Sequence, residues 1–250
     1  MFRRILPLGL IVTLVVIAFP LAAYFDELSS IKAELVAWQT KHDAADFSDL
    51  YHTLDQLAAP TFDDISQDAW YATYVNSVAS LGIMSGYKDA DGESTGQFGP
   101  GNNVTIGEIL KMAFKVAKID EKQCGTAGAG AHWAQRFASC GEKMAFRLFY
   151  NPPVDLNRPA TRAEVLAILF DASGTKAATG MAPFSDTVTH PYANDIAAAT
   201  ERGVVAGDKD INGAPTGTFR PDAPVLRAEA AKIIYQWLEW QSQSGEPAVS

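Results

Sequence analysis

The side chains best suited to chemistry are a loop of oxygen donors, a pair of adjacent acids, four histidines and two cysteines. Asp208-Lys209-Asp210-Ile211-Asn212-Gly213 opens like a calcium loop, in which alternate side-chain oxygens wrap a hard cation. The twelfth position of such a loop needs a bidentate glutamate and here holds Phe219, and Asp89-Ala90-Asp91-Gly92 is no closer to the pattern. Asp208, Asp210 and Asn212 are therefore weak calcium candidates, and turns closed by Asp side chains are the stronger reading. Asp63 and Asp64 stand where a turn or helix start is expected, which favours a structural role over acid–base work on a glycosidic bond. His42, His52, His132 and His190 form no metal-spaced pair, and neither G-x-S-x-G nor H-E-x-x-H occurs. The expectation is a protein with no catalytic residue, no resident metal and no cofactor.

Cys124 and Cys140 point to a redox compartment rather than to a reaction. Arg3 and Arg4 precede an uncharged run from Ile5 to Ala23, and Asp26 and Glu27 follow it. As a helix, that run would be about 28 Å long, close to one bilayer core. Arginines on the near side and acids on the far side predict export of the body. Residues 1–24 read as a signal anchor, with a cleaved signal peptide as the alternative. Outside the cytoplasm a nearby cysteine pair oxidises, and closing a loop of this length contributes about 3 kcal/mol. The 250 residues carry a net charge of −9, and nothing in them builds the basic stripe that nucleic acid requires.

The elements that would position these residues repeat along the chain. Gly86 to Pro100 (GYKDADGESTGQFGP) and Gly207 to Pro221 (GDKDINGAPTGTFRP) share eight of fifteen residues without a gap, at an offset of 121. The same offset carries Val104, Glu108 and Lys111 onto Val225, Glu229 and Lys232. Phe62-Asp63-Asp64 matches Phe184-Ser185-Asp186 at an offset of 122, which sets Trp70 on Tyr192. A third copy lies between: Arg158 to Glu164 aligns with Ala223 to Glu229, and His132-Trp133 with Ala69-Trp70. In that copy the long Gly/Asp loop shrinks to Leu148–Pro153. Period and composition give three helix–loop–helix units over 61–119, 120–178 and 179–240, too small to bury their apolar faces singly.

Before them, residues 25–60 read as a helical spacer with short heptad stripes, able to pack on the domain or to self-associate through 24–60. Residues 241–250 read as a disordered tail. In the first helix of the first unit, Trp70, Tyr74, Val78 and Leu81 are expected on one face, and Gly82 closes the helix. The second helices open at Thr105 and Thr161, with Glu108 and Glu164 three residues on, the pattern of a reciprocal cap. Leu226 precedes Glu229 in the third unit, which keeps the carboxylate and loses the hydroxyl.

Phe-x-Asp, an aromatic residue at a helix start, a Gly/Asp loop, Phe-x-Pro and Thr-Arg-Ala-Glu together resemble the S-layer homology domain over residues 62–240. Thr161-Arg162-Ala163-Glu164 is the full tetrapeptide, Arg227-Ala228-Glu229 keeps three of its residues, and Thr105-Ile106-Gly107-Glu108 lacks the arginine. The resemblance implies an all-α, pseudo-threefold assembly with grooves that bind cell-wall polysaccharide, often pyruvylated, or a peptidoglycan-linked polymer. It implies ligand contacts at Arg162 and Arg227, supported by Trp70, Trp133 and Tyr192, since guanidinium matches a carboxylate in forked geometry. The function so implied is non-catalytic tethering of a surface layer or membrane to the wall. A scaffold acting through the spacer helix and a wall-modifying hydrolase are the alternatives.

Overall fold

The computed structural model describes residues 62–124, 128, 130–177 and 184–244. The apolar N-terminal segment and the spacer lie outside these residues. Among the described residues the backbone forms six α-helices, two 3-10 turns and no strand, only isolated bridges. The helices are α1 (Ala72–Ser80), α2 (Ile106–Val116), α3 (Gln135–Lys143), α4 (Arg162–Ser173), α5 (Ala193–Glu201) and α6 (Arg227–Ser244). Each unit contributes two in succession. No helix among the described residues is long and apolar enough to cross a membrane.

The closest helix pairings run between units rather than within them. The first helix of each unit lies on the second helix of the unit before it: α3 on α2, and α5 on α4. The series closes because α1, the first helix among the described residues, packs on α6, the last of them. One apolar core results, including Val78, Ile109, Phe146, Leu166, Ile196 and Trp237, so all three units supply it.

A ring of backbone hydrogen bonds fixes the centre. Val104 N–H donates to Val225 O at 2.9 Å, Val225 N–H to Ala160 O at 3.1 Å, and Ala160 N–H to Val104 O at 2.9 Å. These residues just precede the second helices, whose first N–H groups have no partner within their own helix. The neighbouring unit supplies one: Ile106 and Gly107 donate to Arg158 O and Leu156 O, Arg162 and Ala163 to Ala223 O and Pro221 O, and Arg227 and Ala228 to Asn102 O and Pro100 O. The next N–H is met locally. Thr105 Oγ1 accepts from Glu108 N at 3.2 Å while Glu108 accepts from Thr105 N at 2.8 Å. Thr161 and Glu164 make the same exchange at 3.3 and 2.9 Å. At α6 only the carboxylate half remains, with Glu229 accepting from Leu226 N at 2.9 Å.

The Phe-x-Asp pattern has a similar local cause. Asp64 accepts from Phe98 N and Gly99 N at 2.8 and 2.6 Å, and Asp186 from Phe219 N and Arg220 N. One acid at the start of the unit thus pins the end of its long loop. Gly86 and Gly207 lie beneath Phe62 and Phe184, where a Cβ would come within 2.8 and 2.3 Å of the ring. Cys124, ending the 3-10 turn Glu121–Cys124, is bonded to Cys140 in α3, with 5.1 Å between Cα atoms.

Three sequence expectations change. Trp70 and Leu81 are exposed, and the buried face of α1 is Ala72, Val75, Val78 and Ala79, because both large residues lie just outside the helix. α6 runs to Ser244, so residues 241–244 of the expected tail are helical, and the rest of it lies outside the described residues. Tyr192 is the N-cap of α5, matching Tyr71 and Ala134 at the caps of α1 and α3, so the counterpart of Trp70 is Pro191. The third unit has three residues (187–189) where the first has four (65–68), and the offset drops there from 122 to 121.

Candidate functional site

Arg162 and Arg227 are the first residues of α4 and α6, at a helix end that ordinarily disfavours a cation. Each reaches into the loop of the next unit around the ring. Arg227 donates through Nε to Phe98 O at 2.8 Å, through Nη2 to Ser85 O at 2.7 Å, and through Nη1 to Glu108 at 2.9 Å. Its guanidinium lies over the rings of Tyr87 and Phe98, and the residue is only 3% exposed. Arg162 repeats two of these bonds, to Phe219 O at 2.9 Å and Ala206 O at 3.5 Å, and stacks on Phe219 at 4.5 Å. It makes no ion pair among the described residues, and burial draws its pKa below the usual arginine value.

This arrangement connects two departures that look separate in the sequence. The arginine of one unit holds the loop of the following one, so position 106 of the first unit would serve the second. The second unit is the one whose loop is shortened. Ile106 stands there fully buried, and its N–H still binds Arg158 O. With no long loop to clamp, an apolar side chain fills the position.

Each of the three boundaries between units carries a cation over an aromatic ring, which makes it a candidate groove. Between the third and first units, Lys232 Nζ lies 5.8 Å from the ring centres of both Trp70 and Tyr74. Between the first and second, Lys111 Nζ lies 5.8 Å from the ring of Trp133. Trp70 and Trp133 are 58% and 55% exposed, so most of each indole remains open to a ligand. Each lysine holds its charge beside an aromatic face with which a sugar ring can stack.

The groove between the second and third units has a different construction. Ala167 occupies the position of Lys111 and Lys232, and the cation comes instead from Arg147 in the 3-10 turn Arg147–Tyr150 of the shortened loop. Its guanidinium lies 5.5 Å from the Tyr192 ring centre. Asp195 takes it in a bidentate pair at 2.7 and 2.8 Å, and Asp171 binds Nε at 2.8 Å. The bond to Asp195 raises the Arg147 pKa despite burial, whereas burial raises that of Asp171. Burial also raises the Tyr192 phenol. Beside them a cavity of about 330 Å³ is lined by Tyr150, Thr161, Glu164, His190 and Asp222 as well. Arg158 grips Glu164 with both terminal nitrogens, at 2.9 and 2.5 Å. The carboxylates in this groove outnumber its cations, and both arginines are already paired.

The structure thus separates the residues that the resemblance groups together. Trp70 and Trp133 present open faces in two grooves, Tyr192 lies half-buried in a third, Arg227 is enclosed, and Arg162 retains one unpaired edge. Lys111, Lys232 and Arg147 complete the grooves. The shared offset of 121 marks the two lysines in the sequence, but no alignment marks Arg147, which arrives from a different segment. The oxygen-rich loop folds on its own: Asp210 accepts from Asn212 N and Ala214 N, and Asp208 is paired with Arg220 at 2.7 and 2.9 Å. Among the described residues no three His, Cys, Asp or Glu side chains gather as a metal site.

Comparison with known proteins agrees with these repeats. The family model of the S-layer homology domain matches residues 61–109, 183–210 and 211–231, on the first and third units. The exoglucanase XynX of Acetivibrio thermocellus is 28% identical over 189 residues, 72% of this chain and 16% of that enzyme. The amylopullulanase of Thermoanaerobacterium thermosulfurigenes is 29% identical over 189 residues, 72% of this chain and 10% of that enzyme. The chain thus spans about a sixth and a tenth of the curated relatives it matches. S-layer homology segments mark proteins of the cell surface and envelope and generally bind secondary wall polysaccharide. The matched segments show that the chain carries S-layer homology segments, in its first and third units.

Proposed function

We propose that the protein is a non-catalytic envelope component that holds an acidic wall polysaccharide in two of its three grooves. The observation that carries this reading is the pair of exposed indoles, Trp70 and Trp133, each faced by a lysine of the neighbouring unit. An open indole stacks on the apolar face of a sugar ring, and the lysine attracts a carboxylate-bearing substituent such as a pyruvyl ketal. Arg162 supports the loop beneath a groove and has a free edge to offer, whereas Arg227 acts inside the protein. The groove at Arg147 is compensated by Asp171 and Asp195 and offers little to an anion. In this reading residues 1–24 fix the body to the membrane and 25–60 space it from the bilayer.

Sedimentation with purified cell walls tests the proposal. The wild-type protein is expected to pellet, and the Trp70→Ala/Trp133→Ala double variant to lose at least about tenfold in affinity, since each stacked ring contributes roughly a kilocalorie or more. A wild-type protein that stays in the supernatant would overturn it. So would a double variant that binds as well as the parent.

A further inference from the structure

The oxygen-rich loop of the third unit, which the grooves leave unused, holds the one Asn-Gly pair of the chain, Asn212-Gly213. In such a pair the glycine nitrogen is free to attack the asparagine Cγ, because no Cβ stands beside it. The site is open: Asn212 and Gly213 are exposed, and the neighbouring Ile211 is 99% exposed. The other asparagines of the described residues are worse placed. Asn76 and Asn194 are fixed in helices, and Asn151 is followed by a proline, which has no N–H. Asn102, Asn103 and Asn157 are followed by residues whose side chains stand beside the nitrogen.

Asp210 holds the turn. Its Oδ1 accepts from Asn212 N at 2.8 Å and Ala214 N at 2.9 Å. Its carbonyl accepts at 2.9 Å from Gly213 N, the nitrogen that must attack. That bond has to open before a ring can close, so the turn sets the pace. The first unit shows which product the loop accepts. Asp91-Gly92 stands in the place of Asn212-Gly213, and Asp89 makes the same three bonds, at 3.0, 2.9 and 3.1 Å. Gly92 and Gly213 have φ of +85° and +83°. An aspartate at 212 thus fits a turn that the fold already builds. An isoaspartate adds a carbon to the main chain and disturbs the bridge between Lys209 and Pro215.

We propose that Asn212 is a site of spontaneous deamidation, through which the third loop acquires the acid of the first. Gly213 N bonds to Asn212 Cγ and gives up its proton, and Nδ2 leaves as ammonia. Water then opens the five-membered imide. Attack at Cγ restores the main chain with aspartate at 212, and attack at the backbone carbonyl carbon gives isoaspartate. Water is the only co-reactant. Each event adds a negative charge to a loop that already holds Asp208 and Asp210. The disturbance from isoaspartate stays local, because Phe219 and Arg220 are held separately by Asp186.

The full chain, in detergent micelles, is kept warm at neutral pH for weeks and sampled by peptide mass spectrometry and ion-exchange chromatography. Asn212 is expected to convert ahead of every other asparagine, to two products that elute apart, as the chain becomes more acidic. Asp210→Ala, which releases Asn212 N and Ala214 N, should convert severalfold faster. Gly213→Ala, whose Cβ obstructs the nitrogen, should convert more slowly. Unchanged circular dichroism separates these effects from unfolding. Asn212→Asp should keep the wild-type midpoint in urea, since the first loop already carries that acid. An Asn212 that persists while a free peptide of residues 207–221 converts would overturn the proposal. So would earlier conversion of another asparagine, or an Asp210→Ala variant no faster than the parent.

Discussion

Two arginines with the same place in a repeated tetrapeptide do different work. Arg227 is enclosed by two rings, two carbonyls and Glu108, so its removal leaves a carboxylate and two carbonyl oxygens without their donor. Breaking such a buried pair costs roughly 3–5 kcal/mol. Arg162 holds two weaker contacts and no carboxylate, so its loss is expected to cost about 1 kcal/mol. Urea denaturation of Arg227→Ala and Arg162→Ala checks the contrast, and equal midpoints would refute it. Glu164 gives a pH signature at the same scale. Burial works against its charged form, but hydrogen bonds and charge from Arg158, with the Thr161 N–H, outweigh it and hold the pKa below the usual value of 4.5. A folded-state pKa below the unfolded one means that the contribution is complete above about pH 4.5 and is lost as pH falls through the folded value. Glu164→Gln should therefore lose stability at neutral pH and show a flatter acid limb in denaturation measured from pH 5 downwards. The Thr-x-x-Glu spacing made the caps legible, because a cap depends on residues three apart. The loop partners of the arginines are 44 to 142 residues away, and nothing local announces them.

Among the elements, the helix ends differ most between units. Gly82 and Gly203 leave their helices at φ of +66° and +70°, where glycine carries no Cβ penalty. Ala145 occupies the same place in the second unit at +58°. An alanine in that conformation costs on the order of 1 kcal/mol, so Ala145→Gly is expected to raise stability by about 0.5–1 kcal/mol, read as a higher thermal midpoint. A lowered midpoint would show that the methyl group contributes packing. The second unit carries most of the chain's departures, namely the shortened loop, the alanine cap, the missing lysine and the disulfide. The cysteine pair was readable from export and spacing. The substitution of Arg147 for a lysine was not, because the two cations come from different segments and meet only in three dimensions. The register of Tyr192 was hidden for a simpler reason: one residue is missing from a loop, and one residue suffices to exchange it for Pro191.

At the level of the whole molecule, the repeats told more about composition than about connection. The Gly/Asp loops and heavily apolar second helices announced three units sharing a core, and one core is found. The pairing of each first helix with the preceding unit could not be read from periodicity, which marks a buried face without naming its partner. Because α1 docks on α6, deletion of residues 227–244 should expose α1 and open the ring of hydrogen bonds through Val225. Limited proteolysis is expected to cut the truncated chain rapidly within 62–81 as well as at its new end. Protection of that segment would mean that α1 is held by something other than α6.

That closing contact also imposes an order in time. About 150 residues separate α1 from its partner, so a ribosome working at roughly 5–20 residues per second needs on the order of 10–30 s to supply α6 after α1 is made. Throughout that interval the earliest helix has its buried face uncovered, while α2 to α5 can already settle on one another. The first part of the domain to be synthesised is therefore the last to be secured, and a holding factor would find its substrate in α1.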